Sequence, residues 1–129
     1  MTVQTIPTRR QLACKLAFHV ERGAHYLCVA IRGEASFDQA EVISAQLLRI
    51  PLDGYSLVVL DLAELTFLSS LAMGALVEYR RGVGRRGVEV RLANVQAPVW
   101  LALELAGLSK LFEPMDLDQP TRPAAMAVA

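Results

Sequence analysis

Apolar and polar residues alternate near the start of the chain with the period of two that is typical of β-strands. Leu16, Phe18 and Val20 alternate with less apolar or charged neighbours, and an apolar run follows over residues 26–31. Gly23 lies between the two segments, and so short a connection requires antiparallel pairing. The pattern therefore predicts that a β-hairpin opens the fold.

The first helix is predicted to begin at a capping box. Ser36 and Gln39 have the required spacing, in which the serine accepts a backbone N–H bond and the glutamine reaches back to the start of the helix. Ala40, Ile43 and Leu47 then recur at helical spacing and mark the buried face. The helix is expected to end before the proline and glycine that precede the next apolar run.

The next apolar run is continuous rather than alternating. Val58, Val59 and Leu60 form it, as is typical of a strand buried on both faces, and Asp61 follows where the strand nears solvent. We therefore expect this strand in the centre of the sheet, with the exposure of those three side chains near zero. It must pair in parallel through a helical crossover.

Two more helices and one or two strands are predicted downstream. A helix is expected over residues 71–86, with its inner side formed by Met73, Leu76, Val77 and Tyr79. An alternating strand follows over residues 88–93, near an edge of the sheet. Pro98 and Gly107 frame a third helix, whose Trp100 and Leu103 are expected to pack inward or to cover the sheet edge. Leu111 and Phe112 are candidates for a short final strand.

This order of elements predicts an α/β fold. Its sheet is mixed, with four to five strands, and right-handed crossovers place the helices mainly on one face. A single domain is expected over residues 15–114. Residues 1–14 are predicted to form a loose segment or an edge strand, and residues 115–129, which lack periodicity, a mobile tail.

Composition excludes several functional classes. Thirteen basic and thirteen acidic residues give a net charge of zero, which argues against nucleic acid as a partner, and the arginines after residue 79 are expected to form a solvated helix face. No apolar run approaches the roughly 18 to 20 residues that cross a bilayer, so membrane insertion is not expected. The first residues lack the apolar core of a signal peptide, which predicts a cytoplasmic protein.

Cysteine and histidine spacing indicates neither a metal site nor a cofactor. Cys14 and Cys28 form no CxxC pair, and Cys28 lies in an apolar run. His19 and His25 flank the predicted hairpin turn without a second ligand type at metal spacing. Both thiols are expected to be reduced, and no cofactor or metal is predicted.

Two adjacent serines mark the junction between the buried strand region and the second helix. Ser69 and Ser70 lie where unpaired backbone N–H groups and the helix dipole favour negative charge. Either serine could serve only as an N-cap. A phosphate on Ser70 would also be tolerated there. Catalysis by Ser70 is not expected, because no motif links it to a histidine and no G-x-S-x-G elbow is present.

The segments from residue 57 to 112 resemble the STAS domain of bacterial anti-sigma factor antagonists. In that family a buried strand ends in Asp, a turn of an apolar residue, Asp, Ser, Ser and Gly follows, and a helix leads to a strand that begins after Gly. Here VVLDLAELTFLSSLAMGAL, RRGVEVRLANV and LALELAGLSKLFE occur in that order. Gly33 and Glu34 also resemble the family's Gly-Glu-Leu-Asp loop. The resemblance spans residues 16–114.

The resemblance implies a phosphoacceptor at Ser70 and a surface that binds a protein partner. It also reveals substitutions: Ser69 and Ser36 stand where the family has aspartates, Leu71 replaces the second serine, and Ala72 replaces the glycine. Loss of two negative charges is expected to change which partner surface is complementary. The implied partner-binding residues are Gly33, Glu34, Ser36, Ser69, Ser70, Leu71, Met73 and Gly74.

The function that the resemblance implies is binding rather than catalysis. The chain would dock on an anti-sigma factor of the serine-kinase type, and phosphorylation of Ser70 would reverse binding. The alternative is a STAS adaptor subunit of a stress-signalling or transport complex that lacks the phospho-switch. The altered acidic positions favour this alternative. Weak homodimerisation is left open.

Overall fold

A mixed β-sheet and three α-helices account for residues 16–112 and 114–115, the part of the chain that the computed structural model describes. The strands are β1 (Leu16–Arg22), β2 (Leu27–Ala35), β3 (Leu57–Asp61), β4 (Leu65–Leu68), β5 (Glu89–Ala93) and β6 (Pro114–Met115). The helices are α1 (Ala40–Leu48), α2 (Ser70–Gly84) and α3 (Ala97–Leu105), and two 3-10 turns cover Phe37–Gln39 and Ser109–Leu111. The expectations for residues 1–14 and for the tail after Met115 lie outside the described residues.

The sheet has the predicted mixed topology. Its main path runs β1-β2-β3-β5-β6, with β1 and β2 antiparallel and the later pairs parallel. The short strand β4, which the sequence did not predict, pairs with the end of β2. It follows β3 along the same side of β2 after the bend at residues 62–64. The α/β class with a mixed sheet is confirmed.

Strand β3 lies in the centre of the sheet, as its apolar run predicted. Val58, Val59 and Leu60 each have an exposure of 0%. Val58 and Leu60 share one core cluster with buried residues from all three helices, among them Leu47, Leu76 and Leu103. All three helices therefore pack on one face of the sheet. Val59 points to the opposite face, because side chains alternate along a strand.

Helix α2 matches its predicted inner face closely. Met73, Leu76 and Tyr79 are buried, whereas Val77 is half-buried. Helix α1 buries Ile43 and Leu47, as expected from their spacing. None of the helices in residues 16–112 is both long and apolar enough to cross a bilayer.

The predicted capping box is wrong. Ser36 makes no side-chain cap bond; its backbone carbonyl instead accepts the N–H of Gln39 at 2.9 Å. That bond closes a 3-10 turn, which takes the place of the first helical turn and delays α1 to Ala40. Gln39 is 1% exposed, so its side chain is buried in the interior.

The final strand and the third helix also differ from prediction in detail. Phe112 follows a 3-10 turn and is fully buried, and strand β6 begins only at Pro114. An apolar pair alone does not distinguish a strand from a single residue that fills the core. In α3, Val99 and Leu103 are buried one turn apart, while Trp100 is half-buried at the margin of the core.

Candidate functional site

The two serines at the junction of β4 and α2 have different surroundings. Ser69 Oγ accepts the backbone N–H of Ala72 at 3.2 Å, so Ser69 is the N-cap of α2. The backbone N–H of Ser69 donates to the carbonyl of Ala35 at 2.9 Å, which ties the cap to the end of β2. Ser69 is only 9% exposed. Its hydroxyl therefore stabilises the start of α2 and is not available to a partner.

Ser70 is exposed and occupies the first position of α2. The N-terminus of a helix presents unpaired N–H groups and a partial positive charge. The first turn of α2 contains no acidic residue that would neutralise this charge. A negative group on the Ser70 hydroxyl is therefore compatible with the local backbone and its dipole.

Exposed apolar side chains accompany Ser70. The exposed fractions are 55% for Phe37, 51% for Phe67 and 56% for Leu71. They are contributed by the 3-10 turn after β2, by β4 and by the first turn of α2, three segments that meet where Ala35 pairs with Leu68. We call these three side chains together with Ser70 the Ser70 surface. Large apolar side chains left exposed on neighbouring segments are typical of protein-binding sites.

Gly74 extends this surface by one helical turn. It is exposed, four residues after Ser70, and therefore on the same side of α2. A Cβ atom built on Gly74 meets no atom within 4 Å outside the adjacent residues and the backbone of its own helix. Packing within the described chain thus does not require a glycine here, although glycine weakens a helix interior.

Gly33 shapes the edge of the Ser70 surface. It has a φ of 113°, and the β2–β4 register shifts between Gly33 and Glu34. Its N–H donates to the carbonyl of Glu64 at 2.9 Å, and its carbonyl accepts the Thr66 hydroxyl at 3.2 Å. The irregularity lets β2 change partners from β3 to β4, and it leaves Glu34 exposed opposite Phe67.

Besides Ser69, two further predicted partner-binding residues have side chains turned away from solvent. Met73 is 6% exposed and belongs to the core, so it can influence a partner only by supporting the residues above it. Ser36 is half-buried, and its Oγ is shielded from solvent without a hydrogen-bond partner among the described residues.

A group of side-chain hydrogen bonds between the bend before β4 and the loop after β5 was not predicted from the sequence. Asp61 Oδ1 accepts bonds from the Asn94 side chain and from the Ala63 backbone, both at 3.1 Å. Gln96 donates to the carbonyl of Ala63 at 2.7 Å. Together these hydrogen bonds join the bend before β4 to the loop after β5. Polar residues after two parallel strands were the available signal, because the carboxyl ends of such strands lie side by side.

The histidines are too distant to activate Ser70. His19 pairs with Ala30, which lies about 17 Å along β2 from Ala35, the residue bonded to the Ser69 backbone. His25 lies in the hairpin turn, at the far end of β2. A serine nucleophile needs a base within hydrogen-bond reach. Neither histidine meets that condition.

The only thiol of the described region is unreactive at neutral pH. Burial raises the pKa of Cys28 to about 11, and the nearby carboxylates of Asp61 and Glu21 contribute to the increase. The reactive form of cysteine is the thiolate. Within residues 16–112 no group of three or more histidine, cysteine, aspartate or glutamate side chains could hold a metal ion.

Comparison with known proteins agrees with this architecture. The model of the STAS domain family matches residues 17–122, most of the chain. The chain belongs to the STAS domain family. No curated protein sequence matches this STAS domain significantly.

Several solved structures share the fold at low sequence identity. The unphosphorylated anti-sigma factor antagonist SpoIIAA is 20% identical, with a TM-score of 0.63 over 78% of this chain and 87% of that chain. An anti-sigma factor antagonist from Mycobacterium paratuberculosis is 21% identical, with a TM-score of 0.67 over 77% and 84%. A murine solute carrier 26 family anion transporter, 17% identical, has a TM-score of 0.63 over 70% of this chain and 15% of its own.

Proposed function

We propose that this STAS domain is an anti-sigma factor antagonist that docks through the Ser70 surface onto an anti-sigma factor of the serine-kinase type. The observation that supports docking is the exposure of Phe37, Phe67 and Leu71 on segments that meet near the exposed Ser70. Burying these side chains in an interface would yield about 25 cal/mol for each Å² of apolar area removed from water. Gly74 would let a partner backbone approach α2 closely.

Phosphorylation of Ser70 would act as the off switch. A phosphate adds about −1.5 to −2 charges. Within the apolar Ser70 surface this charge would have to lose its hydration on docking, which opposes binding. The helix N-terminus would still accommodate the charge in the free protein. The switch would thus act on binding without unfolding the domain.

The serines that replace the family aspartates narrow the expected chemistry of the partner's binding surface. Ser69 and Ser36 remove two negative charges, and Ser69 is committed to capping α2. The complementary surface on the partner is therefore expected to be less basic and more apolar than one that recognises the acidic relatives. Glu34 and Asp38 would be exposed acids available at this edge.

The decisive experiment compares Ser70→Ala and Ser70→Asp in binding to the co-purified partner by calorimetry. The alanine variant should bind like the unmodified protein, and the aspartate variant should lose binding. Ser56→Asp is a matched control, because it adds the same charge at an exposed serine just before β3, at the opposite end of the sheet. Equal affinities for the two Ser70 variants would refute the phospho-switch.

The second candidate is an adaptor subunit in a stress-signalling or transport complex. The structural similarity to a transporter's STAS domain and the missing aspartates favour it. The intact mass of the protein from its own organism distinguishes the two functions. One added phosphate supports the switch, whereas none under several growth conditions supports the adaptor.

A further inference from the structure

A basic groove lies at the end of the sheet opposite the Ser70 surface. The last turns of α2, the start of β5 and the second 3-10 turn enclose about 510 Å³. Arg80, Arg81, Arg85 and Lys110 contribute its charged walls. Because α2 rises about 1.5 Å for each of its 15 residues, Arg85 lies about 22 Å from Ser70 along the helix axis. The groove is thus a separate surface.

Within the described residues, ion pairs compensate little of the positive charge of the groove. Arg80, Arg85 and Lys110 form no ion pair with any residue between Leu16 and Phe112. The acid in the lining, Glu89, is bonded at 2.7 Å to Arg91, which is not among the groove residues. A chain with zero net charge therefore concentrates cations at one place. Among the four basic groove residues, only Arg81 forms an ion pair within the described part of the chain, with the exposed Glu78 at 3.3 Å.

Stabilisation of α2 does not account for the whole cluster. Basic residues near the C-terminus of a helix interact favourably with its dipole, which explains Arg81 and Arg85. Lys110 belongs to the 3-10 turn Ser109–Leu111 and does not extend α2. Its position across the groove brings charge from a second element to the same space.

The floor of the groove is aliphatic. Val88 and Val90 are 7% and 4% exposed, and the half-buried Leu111 completes the lining beside them. Charged walls above an apolar floor favour a ligand that carries both acidic and aliphatic groups. A small inorganic anion would leave the floor without contacts.

We infer that this groove binds an acidic segment of a partner protein, in which aspartates or glutamates flank an aliphatic side chain. The arginine guanidinium groups match carboxylates in a bidentate geometry. The aliphatic side chain would lie on Val88, Val90 and Leu111. The inference goes beyond the proposed function, because it concerns a second surface and does not require Ser70 to be a switch.

The test is binding of a fluorescent peptide in which glutamates flank two leucines, measured by anisotropy with the full chain at low salt. Arg85→Glu should weaken binding at least about tenfold, or about 1.4 kcal/mol. Arg49→Glu is the matched control, because Arg49 is exposed at the end of α1, outside the groove; its affinity should stay within about twofold. Replacing the peptide leucines by serine should also weaken binding.

Lys110→Gln provides a milder second variant should Arg85→Glu reduce folding, and thermal unfolding of each variant establishes that it is folded.

Equal affinities for the groove variants and the Arg49→Glu control would overturn the inference. So would complete displacement of the peptide by inorganic phosphate, which would identify a small-anion site. Tighter binding of a single-stranded oligonucleotide would identify a general polyanion surface instead. Higher affinity after Asp116→Asn and Asp118→Asn would identify the chain's own C-terminal segment as the occupant.

Discussion

The Ser69 side-chain oxygen lies 3.2 Å from the Ala72 backbone nitrogen and accepts its hydrogen bond. This contact separates the roles of two adjacent serines, because it buries one hydroxyl in the cap of α2 and leaves the neighbouring hydroxyl of Ser70 in solvent. The exposed serine can therefore be modified, or exchanged for another residue, without loss of the cap.

The first prediction concerns the stability of these two serines. Ser69→Ala should lower the free energy of unfolding by about 0.5–2 kcal/mol, because it removes the N-cap. Ser70→Ala should change it by no more than about 0.5 kcal/mol, since the residue is exposed and outside the cap. Urea denaturation of both variants measures the difference. A larger cost at Ser70 than at Ser69 would contradict the assignment of the cap.

A second prediction uses the exposed glycine in α2. Gly74→Ala should raise the free energy of unfolding by about 0.5–1 kcal/mol, because alanine is the better helix former and its Cβ meets no atom outside the adjacent residues and the backbone of its own helix. Gly87→Ala is the control and should be destabilising, because Gly87 has a φ of 80°. If Gly74→Ala also weakens partner binding, Gly74 is retained for close approach of the partner.

Tyr79 provides a third prediction. Its hydroxyl is buried without a hydrogen-bond partner in the described part of the chain. Tyr79→Phe removes that unpaired group and keeps the ring, so the free energy of unfolding should stay the same or rise by up to about 1 kcal/mol. Thermal and urea unfolding test this. A loss of more than about 1 kcal/mol would show that the hydroxyl has a partner.

The fourth prediction is a pH dependence at Cys28. The pKa of its thiol is about 11 in the folded protein, against an ordinary value of 9.0. The folded state therefore retains the proton when the unfolded state has lost it, and stability should fall as the pH rises from about 9 to about 11. Cys28→Ala should remove this part of the decline. The comparison requires urea denaturation of both proteins across that range.

Labelling of the thiol provides an independent measurement. Alkylation of Cys28, followed by peptide mass spectrometry so that Cys14 is counted separately, should be slow at pH 8 in the folded protein. It should accelerate in urea, where the pKa returns to its ordinary value. Equal rates in both states would contradict the raised pKa.

Local sequence patterns predicted most of the fold because they reflect interactions between residues that are close together in the chain. The continuous run Val58 to Leu60 indicated a central strand, and the periodicity around Leu76 indicated the buried face of α2. Strand β4 was not predictable in this way. It has only four residues, two of them exposed, and it exists because the irregularity at Gly33 lets β2 accept a second parallel partner.

Three features were predictable from the sequence alone: the α/β class, the order of the main elements and the junction that carries Ser69 and Ser70. These follow from hydrophobic period and turn chemistry, which act between near neighbours in the chain. Three other features became evident only in the folded chain: Ser69 rather than Ser70 caps α2, Phe37, Phe67 and Leu71 remain exposed, and Lys110 lines one groove with arginines of α2. The cap is a contact between residues three apart, but two adjacent serines leave its position open in the sequence. The other two features depend on residues far apart in the chain meeting in space, and a local pattern does not carry that information.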